Sequence, residues 1–230
     1  MSQRVGTVGG MWRDGWRERW REVVAAAFPL RCPGCGRPAE PICDSCRCSL
    51  LPAPHAAPPA GVDAWVAAFA YAGVARELVA RVKYRRIRAA VPFLAAAMAD
   101  ALVATSVGGF DIVTWAPTSA ARRRARGFDH AALLARAVGR ELNLPARRLL
   151  GRQQGPAQTG LPAALRRAGP SFTPRGGVAG DVLLVDDVAT TGATLARAAD
   201  ALRRAGARRI VALTAARTPR TPLTAASPPR

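Results

Sequence analysis

Apolar positions near the start of the chain fall at a helical spacing. Trp12, Trp16 and Trp20 recur every four residues and lead into Val23, Val24 and Ala27, with Arg and Glu between them. Side chains four apart share one helix face, so the pattern predicts an amphipathic helix of about four turns, ended by Phe28-Pro29. From Asp63 onward the texture changes to short apolar runs alternating with helical periodicity. Strands are expected at 64–71, 111–115, 182–185 and 209–214, with a weaker one at 147–150. Helices are expected at 74–84, 92–104, 131–142 and 195–204, the last stopped by Gly206. A Gly/Gln/Pro-containing loop fills 151–160. Strands alternating with helices predict an α/β fold, a mostly parallel sheet flanked by helices.

Five segments follow from these shifts in pattern: a helical N-terminus (1–28), a cysteine module (29–50), a Pro- and Ala-rich linker (51–61), the α/β domain (62–217) and a disordered Pro/Thr/Ser-rich tail (218–230). No internal repeat is visible.

Composition narrows the partners. Half of the 230 residues are hydrophobic, enough for a core and against global disorder. Net charge is +19, from 34 basic and 15 acidic residues. All the basic residues but Lys83 are Arg. Two readings stand: a polyanion partner, or biased codon usage. The first ten residues carry no apolar signal-peptide core, and the longest apolar run, 89–99, is interrupted by Pro92 and too short to span a bilayer. A cytoplasmic location is therefore expected. The Trp helix either docks on the rest of the protein or lies on a membrane surface, a peripheral contact at its inner face.

In a reducing compartment, clustered cysteines read as metal ligands before disulfides. Cys32, Cys35, Cys43 and Cys46 form C-x2-C-x7-C-x2-C. Each pair can point two thiolates at one ion, and four complete a closed tetrahedral Zn²⁺ site of structural kind. Free structural cysteines are the alternative. Cys48 is a spare that could replace Cys46, and His55 is an outer ligand or a linker residue.

The chemistry concentrates in Val182-Leu183-Leu184-Val185-Asp186-Asp187-Val188-Ala189-Thr190-Thr191-Gly192-Ala193-Thr194. A buried strand delivers two carboxylates to its C-terminal edge, where open α/β sheets bind ligands. The loop that follows runs into a helix, whose N-terminal amides with those of the loop make an anion site. Gly192 permits close backbone approach, and Thr190, Thr191 and Thr194 add hydroxyls. Two carboxylates beside a phosphate cradle suit a ligand with both a diol and a phosphate, such as a ribose 5-phosphate. A Walker B element would need a phosphate loop ending in Gly-Lys, and the single Lys83 has no glycine before it. A structural Asp pair capping the helix explains the acids but not Thr-Thr-Gly.

This segment resembles the 5-phosphoribosyl-1-pyrophosphate (PRPP) signature of type I phosphoribosyltransferases. The resemblance implies that Asp186 and Asp187 hold the ribose hydroxyls, and that Ala189, Thr190, Thr191, Gly192, Ala193 and Thr194 hold the 5′-phosphate, with Mg²⁺ as cofactor. Val82-Lys83-Tyr84-Arg85, the strand ending at Pro117, Arg126-Gly127-Phe128, and Gln158 with Leu161 then occur in the order of ComF/GntX-like proteins, which also begin with four cysteines. Three departures stand out. The usual Pro-x-Pro is Trp115-Ala116-Pro117, Arg-Gly-Phe-Asn-Gln becomes Arg126-Gly127-Phe128-Asp129-His130, and an Asn expected near Ala168 is missing.

A leaving pyrophosphate must be neutralised by Mg²⁺ and cations. The resemblance places that job in the loop after Pro117, with Arg122, Arg123, Arg124 and Arg126, and Arg126 is the expected catalytic cation. A solvated basic loop or a track for single-stranded DNA are the alternatives. Lys83 and Arg85 could reach the same anion. His130 is expected as a water-exposed helix-start residue, with a polar contact to substrate as the other reading. Two function classes therefore stand. The first is a phosphoribosyltransferase acting on an unidentified nitrogenous base. The second, which the resemblance to ComF-like proteins implies, is a non-catalytic accessory of DNA uptake in natural transformation, binding single-stranded DNA or partner proteins with PRPP as a regulatory ligand.

Overall fold

A computed structural model describes residues 31–39, 41–84, 90–153 and 170–219. The expected Trp helix, Arg85, Gln158, Leu161, Ala168 and the C-terminal tail from residue 220 lie outside the described residues.

The domain is built on a four-stranded, all-parallel sheet with strand order β1-β6-β5-β2. These strands are β1 (Ala64–Ala70), β2 (Ile112–Trp115), β5 (Gly180–Ala189) and β6 (Ala207–Arg217). Val182, Leu183, Leu184 and Val185 are all fully buried, because a parallel strand covered on both faces needs apolar residues at every position rather than at alternate ones. Parity divides them. Leu183 and Val185 join Val211 and Leu213 on one face, with α2 (Gly73–Tyr84), α3 (Ala90–Ala104) and α5 (His130–Glu141). Val182 and Leu184 join Ile210 and Ala212 on the other, under α6 (Ala193–Arg204). A separate antiparallel pair, β3 (Leu150–Arg152) and β4 (Phe172–Pro174), caps this second face with Leu150 and Phe172. The expected strand at 147–150 is displaced: residues 145–147 touch the edge of β2 through an isolated bridge of Ala146 with Val113, and β3 itself begins at Leu150 in the second sheet.

Residues 51–59 do not hang free of the domain. Pro52 bridges Phe69 on β1, and Ala70 N–H donates to Leu51 O at 2.9 Å. The Arg217 guanidinium donates to Pro54 O, and Pro59 lies against Gly192. The cysteine module, with its short helix α1 (Asp44–Cys48), is packed into the same core through Cys32, Ile42 and Cys46. Among the described residues no helix is long and apolar enough to cross a membrane.

Candidate functional site

The C-terminal ends of β2 and β5 lie side by side, with Trp115 in register with Val185, and they open into a cavity of about 250 Å³. Asp186 and Asp187 reach it from β5, Ala116 to Thr118 from the end of β2, Lys83 and Tyr84 from the last turn of α2, and Thr194 from the first turn of α6.

The four-arginine stretch is a helix, not the expected loop: α4 (Ala120–Arg126). Ser119 caps it by accepting the Arg122 N–H, and Gly127, at φ +79°, closes it in the left-handed conformation that glycine adopts without cost. The helical repeat then sorts the arginines. Arg122 and Arg126, four apart, share a face and line the cavity, whereas Arg123 and Arg124 are exposed and do not. Arg152 of β3, unremarked in the sequence, completes the cationic lining. Its Nη1 donates to Pro117 O at 3.3 Å. Burial, aided by the nearby charge of Arg122, lowers its pKa. Among the described residues, four cations thus face two carboxylates, an electrostatic setting for an anion with several charges.

The carboxylates differ. Burial, then the charge of Asp187, pushes the Asp186 carboxyl up to about 8. Burial also opposes the Asp187 charge, but His130 and Lys83 outweigh it and hold that carboxyl below its usual value. Lys83 Nζ lies 3.0 Å from Asp187 Oδ1, and His130 Nε2 lies 2.5 Å from Asp187 Oδ2. His130 is therefore not the water-exposed residue expected: only 6% of its surface is accessible. Its other ring nitrogen, Nδ1, is 3.1 Å from Arg126 Nη1, while the Arg126 guanidinium stacks 4.8 Å from the Tyr84 ring centre. Asp129, where the resembled pattern has Asn, accepts Ala132 N–H and Thr118 N–H, capping α5 and tying it to the end of β2.

Thr190, Thr191 and Gly192 form the turn between Ala189, the last residue of β5, and Ala193, the first of α6, and none of the five lines the cavity. Gly192 sits at φ +75° as the helix cap, and a Cβ there would fall 2.7 Å from Pro59 Cγ. Thr190 and Thr191 are exposed, and Thr191 Oγ1 accepts the Ala193 N–H at 3.4 Å.

The four cysteine sulfurs come together, all within 4.8 Å of one another, with Cys35 and Cys43 at 3.6 Å. A tetrahedral ion with Zn–S bonds of about 2.3 Å needs sulfurs about 3.8 Å apart, so the set fits one ion. The Arg37 Nε–H donates to Cys35 Sγ at 3.4 Å and lowers that thiol to about 6, favouring the thiolate a metal requires. Cys46 is buried within the set; Cys48 is exposed and neither it nor His55 belongs to it.

No curated protein matches the chain in sequence. Among solved structures it is similar to the glutamine PRPP amidotransferase from B. subtilis complexed with ADP and GMP (22% identity, 54% of this chain and 26% of that one, TM-score 0.37). It is also similar to a hypoxanthine-guanine phosphoribosyltransferase from Bacillus anthracis (15%, 60% and 76%, TM-score 0.39) and a purine phosphoribosyltransferase from Pyrococcus horikoshii (19%, 60% and 80%, TM-score 0.34). The chain spans about a quarter of the length of the amidotransferase chain it matches. Residues 157–225, which contain β5, the Thr-Thr-Gly turn, α6 and β6, match the phosphoribosyl transferase domain family.

Proposed function

We propose that the cavity binds PRPP and that the protein is a phosphoribosyltransferase of ComF type. The observation that carries this reading is the convergence of Asp186 and Asp187, at the end of β5, with Lys83, Arg122, Arg126 and Arg152 around one cavity. Asp186 and Asp187 would meet the ribose hydroxyls, the Ala189–Thr194 turn with the first amides of α6 the 5′-phosphate, and the cations the pyrophosphate. The match to a phosphoribosyl transferase domain across β5 to β6 supports it.

Oxygen donors suit Mg²⁺. The Asp186 carboxylate and the ligand's own oxygens would hold the ion. When bound, it would neutralise charge building on the pyrophosphate. In the transfer, the bond from the anomeric carbon to the pyrophosphate oxygen breaks with its electron pair going to pyrophosphate. A nitrogen lone pair of the acceptor then closes on that carbon. Arg122 and Arg152, which line the cavity, would stabilise the departing charge. The four cysteines would hold a structural zinc that braces the α2 side of the domain. Pyrophosphate release from Mg-PRPP with a panel of purine, pyrimidine and pyridine bases tests the reaction. Release with one base supports it, and no release with any base by protein that binds PRPP rejects turnover.

A further inference from the structure

We propose that His130 is a positioning residue that joins the two ends of the site, holding Asp187 through Nε2 and Arg126 through Nδ1. The inference rests on the PRPP reading, in which Asp187 meets the ribose and Arg126 faces the pyrophosphate.

The donor inventory fixes the proton. A guanidinium can only donate hydrogen bonds, so the Nδ1 that faces Arg126 Nη1 at 3.1 Å must accept. The ring proton is then on Nε2, 2.5 Å from Asp187 Oδ2. In this arrangement Nε2 faces the Asp187 carboxylate on one side and Nδ1 faces the Arg126 guanidinium on the other. The ring has little freedom to leave this arrangement. It is buried at the first position of α5, and the preceding residue, Asp129, anchors both the helix cap and the end of β2. Arg126 is gripped from its other side by the Tyr84 ring. The groups facing the imidazole are thus Asp187, with Lys83 beyond it, and Arg126, with Tyr84 beyond it.

One ring therefore sets the orientation of a carboxylate and of a guanidinium before any ligand arrives. Such preorganisation spares the ligand the ordering of both. The glutamine of the resembled pattern carries its donor and its acceptor on one terminal carboxamide, whereas the imidazole places them on opposite edges of a ring.

Two substitutions divide the roles. Gln puts an amide N–H near the place of Nε2 and keeps the donor to Asp187. Asn puts an amide oxygen near the place of Nδ1 and keeps the acceptor for Arg126. In the full-length, zinc-loaded protein, His130→Gln and His130→Asn should each weaken Mg-PRPP binding about 10-fold, one charge-assisted hydrogen bond each. With magnesium pyrophosphate as probe, His130→Asn should bind as the wild type does and His130→Gln should bind several-fold more weakly. A residue that serves packing alone would lower both probes together in both variants, and that result overturns the proposal. Nitrogen-15 NMR of the wild-type imidazole decides the geometry without any ligand. A proton on Nε2 alone supports the bridge, and a proton on Nδ1 contradicts it. A wild type that shows the Nε2–H tautomer but binds neither probe rejects the PRPP reading and leaves the bridge supported.

Discussion

Lys83 Nζ rests 3.0 Å from Asp187 Oδ1, so the only lysine of the chain is spent on a carboxylate of the site. Its side chain is 17% exposed and that of Asp187 6%, which makes this a largely desolvated pair rather than a surface one. Lys83→Ala leaves the buried carboxylate with one partner fewer. We expect a loss of about 1–3 kcal/mol in stability, the cost of an unsatisfied buried group, measured by urea denaturation. Lys83→Ala combined with Asp187→Asn should cost less than the sum of the two changes, since both report on one contact.

The helix that carries Lys83 is also the one on which the cysteine module rests. Arg81 Nη2 donates to Gly34 O at 3.3 Å, and Cys32 and Cys46 share a core with Val74 and Leu78. Purified protein should contain one zinc per chain. Chelation or Cys46→Ser should lower the melting temperature and weaken PRPP binding together, through α2. Cys48→Ser, outside the sulfur set, should change neither.

Gly192→Ala meets two obstacles. The backbone is left-handed there, at φ +75°, and the new methyl would fall 2.7 Å from Pro59. The conformational part alone costs about 1–2 kcal/mol. Pro59→Ala in the same chain removes the Cγ contact but keeps Cβ at 3.0 Å from the new methyl, so it should recover only part of the steric loss, a difference read from denaturation midpoints.

The two carboxylates give opposite pH responses. Burial and the Asp187 charge raise Asp186 to about 8 in the folded protein, against about 3.9 unfolded. Its contribution is therefore fully present below about pH 4 and is lost as the pH rises towards 8. Asp186→Asn should gain on the wild type across that window when neither magnesium nor PRPP is present. Asp187 is depressed, against burial, by His130 and Lys83. Its contribution is present above about pH 4 and lost on acidification, so Asp187→Asn should be less stable than the wild type at pH 7 and converge with it in acid. Chemical denaturation at a series of pH values checks both signs.

Elements with strong local patterns were legible in the sequence. The apolar run 182–185 with the carboxylates behind it reads as a buried strand leading to a sheet edge, and the spacing of the C-x2-C pairs is local enough to bring the sulfurs together. What stayed hidden depends on contacts distant in sequence. His130 looks like an exposed helix start until the end of β5 is packed against α5. Arg152 follows no motif, and β3 joins a second sheet whose partner, Phe172–Pro174, has just three residues. A signal for α4 was present: Ser119 ahead of Ala-Ala-Arg-Arg-Arg-Ala-Arg and Gly127 behind it are a cap, a run of good helix formers and a stop. Read that way, the spacing of four would have singled out Arg122 and Arg126.

Arg152→Ala carries the clearest test of that missed residue. It removes one of the four cavity cations without touching the acid pair. PRPP affinity should fall about 10-fold or more, on the scale of a charge-assisted contact to phosphate, while the melting temperature shifts little.

Calorimetric titration of Mg-PRPP into the zinc-loaded protein asks whether Asp186 and Asp187 hold this ligand. Saturable binding by the wild type, abolished in the folded Asp186→Asn/Asp187→Asn variant, is the expected result. Absence of binding by well-folded wild type, or equal binding by the variant, would overturn the PRPP reading.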